Sequence, residues 1–127
     1  MSLKSLDNKL KTLAKSLNGE ITKDNSKSMF LPSGFEERTV RWSNHGLDYM
    51  FQIYPEIKND RISKWIFWAC CSYDTNEARF WKKKNILENR SQTKIIADFD
   101  NLVNNAIDFL EKLTKEELEI AVKFDNY

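Results

Sequence analysis

The fold of this 127-residue chain is decided by the stretch SKWIFWACCSYDTNEARFWKKK, residues 63–84, which holds three of its four tryptophans and both cysteines. Two runs rich in aromatic and β-branched residues flank the polar segment DTNE. This arrangement is typical of two antiparallel strands joined by a turn. The stretch therefore predicts a β-hairpin, and its two strands are long enough to carry different chemistry on their two faces.

A turn at residues 75–76 places Cys71 opposite Phe80 and Cys70 opposite Trp81. Neighbours on a strand point to opposite faces, so one face alternates large and small apolar residues. Its members are Trp65, Phe67, Ala69, Cys71 and Phe80. The other face mixes indole rings with cations, and its members are Ile66, Trp68, Cys70, Arg79, Trp81 and Lys83. We expect helices to cover the first face, while the second is a candidate binding surface.

The residues before this hairpin continue a period-two pattern. ERTVRW (37–42) and LDYMFQIYP (47–55) predict strands joined by the turn signal SNHG, and EIKNDRI (56–62) predicts a polar connection. TKDNSKS (22–28) predicts a loop, and MFLPSGF (29–35) predicts an optional edge strand ended by its proline. Short connections make consecutive strands antiparallel neighbours. The sequence thus predicts a four-stranded, optionally five-stranded, antiparallel meander.

Helical periodicity marks both ends of the chain. Near the N-terminus one stripe carries Leu3, Leu6, Leu10, Leu13 and Leu17. Gly19 is the expected stop of this helix, through a positive φ. A second helix is predicted over 93–113, and Thr114 with Glu117 forms the capping-box signature of a third. The order of helix, sheet and helices predicts a single α+β domain, residues 1–127, with two C-terminal helices on one sheet face.

Charge is balanced overall but segregated along the chain. Lys and Arg total 20 against 19 Asp and Glu, so net charge alone favours neither nucleic acid nor a membrane as partner. Residues 79–94 nevertheless carry six cations and one acid, whereas residues 97–127 carry eight acids and three lysines. The lysines of the N-terminal helix suit a membrane surface, but the favoured explanation is a helix docked on its own core with its lysines in water. The polarity is compatible with a charged partner.

The cysteines and the single histidine argue against a disulfide, a metal or a cofactor. Adjacent Cys70 and Cys71 point to opposite faces and have no other cysteine to pair with, which favours a reducing, cytoplasmic compartment. They lack the spacing of zinc ligands, and His45 is the only histidine. No apolar run approaches the roughly 20 residues that span a bilayer.

The residues also argue against catalysis. Asp48 and the PEIK segment resemble the acid-x-lysine pattern of metal-dependent nucleases, but Asp48 and Glu56 bracket one strand and lie on the order of 25 Å apart. With three glycines in the whole chain, a phosphate-binding backbone loop is not expected. We therefore expect a binding domain rather than an enzyme.

The expected function is non-catalytic binding of another protein, as an inhibitor, an immunity-type partner or an adaptor. Aromatic residues and Arg are enriched in such interfaces. The candidate binding residues are Trp68, Arg79, Trp81, Lys82, Lys83 and Lys84. Three alternatives stay open: nucleic acid stacked on this face, a small-molecule pocket between sheet and loop, or a loop at 20–36 that covers the face. The general plan recurs in many small bacterial proteins without indicating one function, and the oligomeric state stays undetermined.

Overall fold

The computed structural model contains one antiparallel sheet with helices on one side. The structure describes residues 2–24, 32–44, 46–74 and 79–125, with side chains for all of these except 73–74, 79–80 and 114–125. The sheet has the order β1-β2-β3-β4-β5. Its strands are β1 (Glu20–Asp24), β2 (Glu37–Asn44), β3 (Leu47–Lys58), β4 (Arg61–Asp74) and β5 (Arg79–Asn89). The α+β class and the five-stranded option are confirmed.

The strands β3 and β4 form the longest hairpin and turn more tightly than the sequence suggested. They continue to Lys58 and from Arg61, so the predicted polar connection at 56–62 was wrong in extent. The turn consists of Asn59 and Asp60 alone, with φ of 52° and 61°. Asn and Asp tolerate these left-handed values, and a two-residue turn of this kind matches the twist of the flanking strands.

The edge strand β1 lies earlier in the chain than predicted. Glu20 to Asp24 pair with β2, and Ile21 lies opposite Val40. The predicted loop at 22–28 therefore begins with three strand residues. In the predicted edge strand at 29–35, residues 32–35 form no strand, and residues 29–31 lie outside the described part of the chain.

The pairing of β4 with β5 differs from the predicted register by two residues. Cys70 lies opposite Lys83, and Cys71 lies opposite Lys82, because the ladder continues to Asp74 and Arg79. The predicted turn at 75–76 lies outside the described residues. Because a two-residue shift keeps each side chain on its own face, the predicted division of the hairpin into two faces survives.

The helices are a 3-10 turn (Leu3–Leu6), α1 (Asp7–Ser16), α2 (Gln92–Ala97) and α3 (Phe99–Asp125). The predicted boundary at Thr114 was wrong, because α3 passes through it. The break lies at Asp98, whose ψ of 9° ends α2 and whose carbonyl accepts the amide of Leu102 at 2.9 Å as α3 begins. No Gly or Pro follows Arg90 in the sequence, so no helix-breaking residue supports the predicted boundary. The capping-box signature at residue 114 alone does not begin a new helix.

The helix stop after α1 depends on two residues, not one. Asn18 has the positive φ, 53°, that was expected of Gly19. Gly19 is needed for a different reason: a Cβ there would lie 2.3 Å from the carbonyl oxygen of Arg41 in β2. The amide of Gly19 also donates to the carbonyl of Ala14 at 2.8 Å. The glycine therefore allows the chain to leave α1 in close contact with β2.

Gly19→Ala is expected to lower the free energy of unfolding by about 1–3 kcal/mol, because the clash is with backbone and no side chain can move aside. Chemical denaturation followed by circular dichroism measures this loss. Ser16→Ala, at an exposed helix position, is the control and should change stability by less than about 0.5 kcal/mol. Equal stabilities of the two variants would refute this explanation of the glycine.

The main core lies between the helices and one face of the sheet. From β4 it takes Trp65, Phe67, Ala69 and Cys71, which confirms the predicted covered face. Phe51 and Phe67 stack at its centre with ring centroids 5.5 Å apart. From the helices come Leu3, Leu6, Leu10, Ala14, Ile95, Phe99, Leu102, Val103, Ala106, Leu110 and Leu113. Phe80 was predicted on this face, but its side chain lies outside the described residues.

A buried ion pair joins the sheet to α1. The side chain of Arg38, in β2, is fully buried, and its Nε donates to Oδ1 of Asp7 at 2.7 Å. Its Nη1 donates to the carbonyl of Glu37 at 2.9 Å, whereas its buried Nη2 has no hydrogen-bond partner among the described residues. Asp7 keeps 22% of its side chain exposed. The charge of Arg38 therefore depends on one carboxylate.

The carboxylate of Glu36 fastens the segment before β2 to the helical side. It accepts the amide of Leu3 at 2.6 Å and the side-chain amide of Gln92 at 3.3 Å, and it also accepts the hydroxyl of Ser2. These contacts join the 3-10 turn to the beginning of α2. Glu36 is therefore held beside the helices, away from the opposite face of the sheet.

Candidate binding face

The side of the sheet opposite the helices is here called the open face. Its centre is a small apolar cluster of Ile66, Trp68 and Cys70, with Met50 and Tyr54 packed against it. No residue of a described helix belongs to this cluster. The open face is therefore a second surface of the sheet that the described helices do not cover. Of the loop at 20–36 that could cover it, residues 25–31 lie outside the described part of the chain.

Trp68 is held rigidly at the centre of the open face. Only 8% of it is exposed. Its Nε1 donates to Oε1 of Gln52 at 2.9 Å, while Nε2 of Gln52 donates to Glu37 and to Thr39. The ring of Tyr54 meets it edge-on, with centroids 6.4 Å apart. A buried indole with its N–H satisfied forms a fixed platform.

Lys83 connects this platform to an exposed indole. Its Nζ lies 5.0 Å from the ring centroid of Trp68 and 5.8 Å from that of Trp81. Both distances are within the range of a cation–π contact. Trp81 is 61% exposed, a larger fraction than that of Ile57, the other large apolar residue exposed in the described chain. These three residues are called the Trp81 corner below.

A groove of about 530 Å³ begins at the Trp81 corner and crosses the end of the sheet towards Gly19. On the open face it is lined by Arg41, Asp48, Met50, Cys70, Ser72 and Trp81. The pairing places Glu20, Arg41, Met50, Cys70 and Lys83 in one row across the five strands. Glu20 lies opposite Arg41, whereas Lys83 has no acid beside it in the described chain, so the row suits a ligand whose acidic group lies at Lys83.

The thiol of Cys70 lies in the middle of this row but is not poised to react. Burial raises the pKa of the Cys70 thiol, and the nearby charges of Arg41 and Lys83 only partly oppose this effect. A raised pKa leaves less of the reactive thiolate at neutral pH. Neither Cys70 nor Cys71 forms a disulfide, and both are buried. Cys70 therefore contributes apolar packing rather than a nucleophile.

Cys70 is expected to react slowly with a thiol-specific disulfide reagent at pH 8 while the protein is folded. In a Cys71→Ala variant the remaining thiol should react at least about tenfold more slowly than free cysteine, and at the ordinary rate in denaturant. Absorbance of the released thiolate measures both rates. Rapid stoichiometric reaction of the folded protein would contradict the buried position of Cys70.

The far end of the open face is neutralised by its own ion pairs. Nζ of Lys64 lies 2.7 Å from Oε2 of Glu88 and 3.6 Å from Oε2 of Glu56. The hydrogen bond from Lys64 lowers the pKa of Glu88, and the same bond raises the pKa of Lys64. Burial, with help from these acids, raises the pKa of Tyr54. This end therefore has less unpaired charge to offer a partner.

The predicted site residues divide between the two faces. Trp68, Trp81 and Lys83 come together at the open face, whereas Lys82 and Lys84 lie on the helical side. Nζ of Lys84 lies 5.7 Å from the ring of Phe109 in α3. The sixth predicted residue, Arg79, pairs with Asp74 in the ladder, but its side chain lies outside the described residues.

Sequence reasoning missed Arg41. It is exposed and lines the groove, and in the described part of the chain it forms no ion pair. The signal available was its place in ERTVRW, where it alternates with buried Val40. Only the pairing of β2 with β3 shows that it shares a row with Cys70.

Two further properties concern ligands and membranes. Among the side chains that the structure describes, no group of three or more His, Cys, Asp or Glu is placed to hold a metal ion. Within the same residues, no helix combines the length and apolar character required to cross a bilayer.

Comparisons with models of protein families, with curated proteins and with solved structures found no match.

Proposed function

We propose that this domain binds another protein through the Trp81 corner and acts without catalysis, as an inhibitor, an immunity-type partner or an adaptor. The observation that carries the proposal is the exposed indole of Trp81, supported by the cation of Lys83 on the rigid ring of Trp68. An exposed aromatic residue on a fixed support is the usual composition of an interface hot spot.

The charges around this corner indicate an acidic partner. In the described chain, Lys83 contacts two rings and no carboxylate, whereas Arg41, farther along the same row, has Glu20 opposite it. The far end of the face is already neutralised by Lys64 with Glu56 and Glu88. The open charge is therefore positive at the place where the exposed aromatic surface lies.

A comparison of three variants tests the proposal. The tagged protein is used to capture partners from an extract of its native host, beside Trp81→Ala, Lys83→Glu and the control Lys11→Glu. Lys11 is exposed on α1, so the control makes the same charge change away from the sheet. Partners should be lost with the first two variants, with affinity reduced at least about tenfold, and retained with the third. Equal recovery by all four proteins would remove the proposed corner.

Binding of single-stranded nucleic acid is the second candidate, because an exposed indole beside a lysine can stack a base. Lys82 and Lys84 lie on the side of the sheet opposite Lys83, so the three lysines do not form one continuous basic surface. This arrangement favours a protein partner over nucleic acid. A titration of tryptophan fluorescence with single-stranded oligonucleotides at low and moderate salt, with Trp81→Ala beside the unaltered protein, tests this candidate. Quenching that weakens steeply with salt would favour nucleic acid, and the absence of quenching at low salt would exclude it.

A further inference from the structure

The outer edge of β5 is unpaired by any strand in the described part of the chain. The strand comes last in the sheet order and, among the described residues, pairs with β4 alone. Residues 81–85 are all exposed. Between Arg79 and Asn85, before the bulge at Ile86, this edge presents backbone N–H and C=O groups that can pair with another extended chain.

A groove runs beside this edge on the helical side of the sheet. It measures about 570 Å³ and lies between β5 and α3, lined by Lys84, Ile86, Phe109 and Leu113 together with Asn105, Asp108 and Lys112. A strand added to β5 would direct alternate side chains towards this groove and towards the Trp81 corner. Backbone pairing with pockets for alternate side chains is the general mode of recognition by strand addition.

The charges at this edge select which chain can be added. Lys83 and Lys84 project to opposite faces of β5, and in the described chain their ammonium groups contact aromatic rings rather than carboxylates. Lysines on an edge repel a second copy of the same strand, which is a common protection against aggregation. The same lysines attract a strand that carries Asp or Glu, because cations then flank it on both faces.

We infer that β5 accepts an extended acidic segment of a partner protein as a sixth strand of the sheet. The apolar side chains of the segment occupy the groove against Ile86 and Phe109, and its carboxylates lie beside Lys83 and Lys84. This inference rests on the proposed function and deepens it, since it names the form and charge of the partner. It adds the groove beside α3 to the Trp81 corner as a second point of contact.

The test uses a capped synthetic peptide of the repeat Val-Val-Glu-Glu, about eight residues long, which places valine and glutamate on both faces of an extended strand. It is added to isotope-labelled protein. We expect the amide resonances of β5 to shift and those of β1, the opposite edge, to stay unchanged. Methylating alternate peptide nitrogens should weaken binding at least about tenfold, because it removes the donors required for strand pairing. Replacing each glutamate by lysine should abolish binding.

Protein variants separate this inference from the open-face proposal. Lys84→Glu lies on the groove side and should weaken peptide binding at least about tenfold, whereas Lys58→Glu, at the end of β3 next to the β3–β4 turn, should not. Absence of peptide binding at about millimolar concentration, equal binding of the methylated peptide, or shifts confined to other strands would overturn the inference. If natural partners are lost with Lys83→Glu but retained with Lys84→Glu, the open face binds them and strand addition is wrong.

Discussion

Replacing Asp7 by alanine is expected to lower the free energy of unfolding by about 3–5 kcal/mol, because it leaves a buried guanidinium without its counter-charge. Arg38 is fully buried, and within the described part of the chain its Nη2 already lacks a hydrogen-bond partner. The remaining acceptors are backbone carbonyls, including that of Glu37. These dipoles do not replace a carboxylate 2.7 Å away.

Removal of the other partner should cost less. Arg38→Met leaves Asp7 with 22% of its side chain exposed and with Nζ of Lys23 at 3.8 Å, so the carboxylate keeps water and a cation nearby. Methionine fills much of the same volume without a charge. The two single variants and the double variant form a cycle that isolates the pair from the favourable placement of Asp7 in the first turn of α1. Urea denaturation measures each value, and Arg38→Met proving more damaging than Asp7→Ala would contradict the account of this ion pair.

Phe67→Ala should destabilise the protein by about 3–5 kcal/mol, through lost apolar burial and the cavity left behind. Phe67 has no exposed surface, and its ring stacks on Phe51 at an interplanar angle of 14°. Trp81→Ala, on the open face, is the matched aromatic truncation and should change stability by no more than about 0.5 kcal/mol. Denaturation followed by circular dichroism compares the two. A loss below about 1 kcal/mol for Phe67→Ala would mean that this face is not the centre of the core.

The class of fold and the two faces of β4 were predictable because alternation is a local property of the sequence. Aromatic and small residues alternate from Trp65 to Cys71, and this pattern fixes the covered face whatever the exact pairing. Register is not local in this way. It depends on how far the β4–β5 ladder continues past Tyr73. The sequence that follows Tyr73 fits a turn of two residues as well as a connection of four.

Other features escaped prediction because distant residues decide them. The strand β1 contains one strongly apolar residue, Ile21, and is a strand because it pairs with β2. Gly19 is required by the carbonyl of Arg41, which the sequence places 22 positions away. The helix break at Asp98 carries no Gly or Pro signal. Each of these features depends on tertiary packing, which the secondary-structure propensities of individual residues do not describe.

The candidate site shows the same division. Trp81 and Lys83 were assigned to one face from alternation alone, and the structure places both beside Trp68. Lys82 and Lys84 were added because they belong to the same lysine run, yet alternation sends them to the helical side. A charge run along a strand therefore has to be divided by face before it is interpreted as one binding surface.

The most direct test of the two unlike faces is the solvent accessibility of individual tryptophans in the free protein. A soluble paramagnetic agent is added, and the loss of intensity of each indole N–H signal is measured by NMR. The account predicts strong loss for Trp81, which is 61% exposed, and little loss for Trp65 and Trp68, at 6% and 8%. Protection of Trp81 equal to that of Trp65 would show that the open face is covered, and would contradict the proposal that it binds a partner.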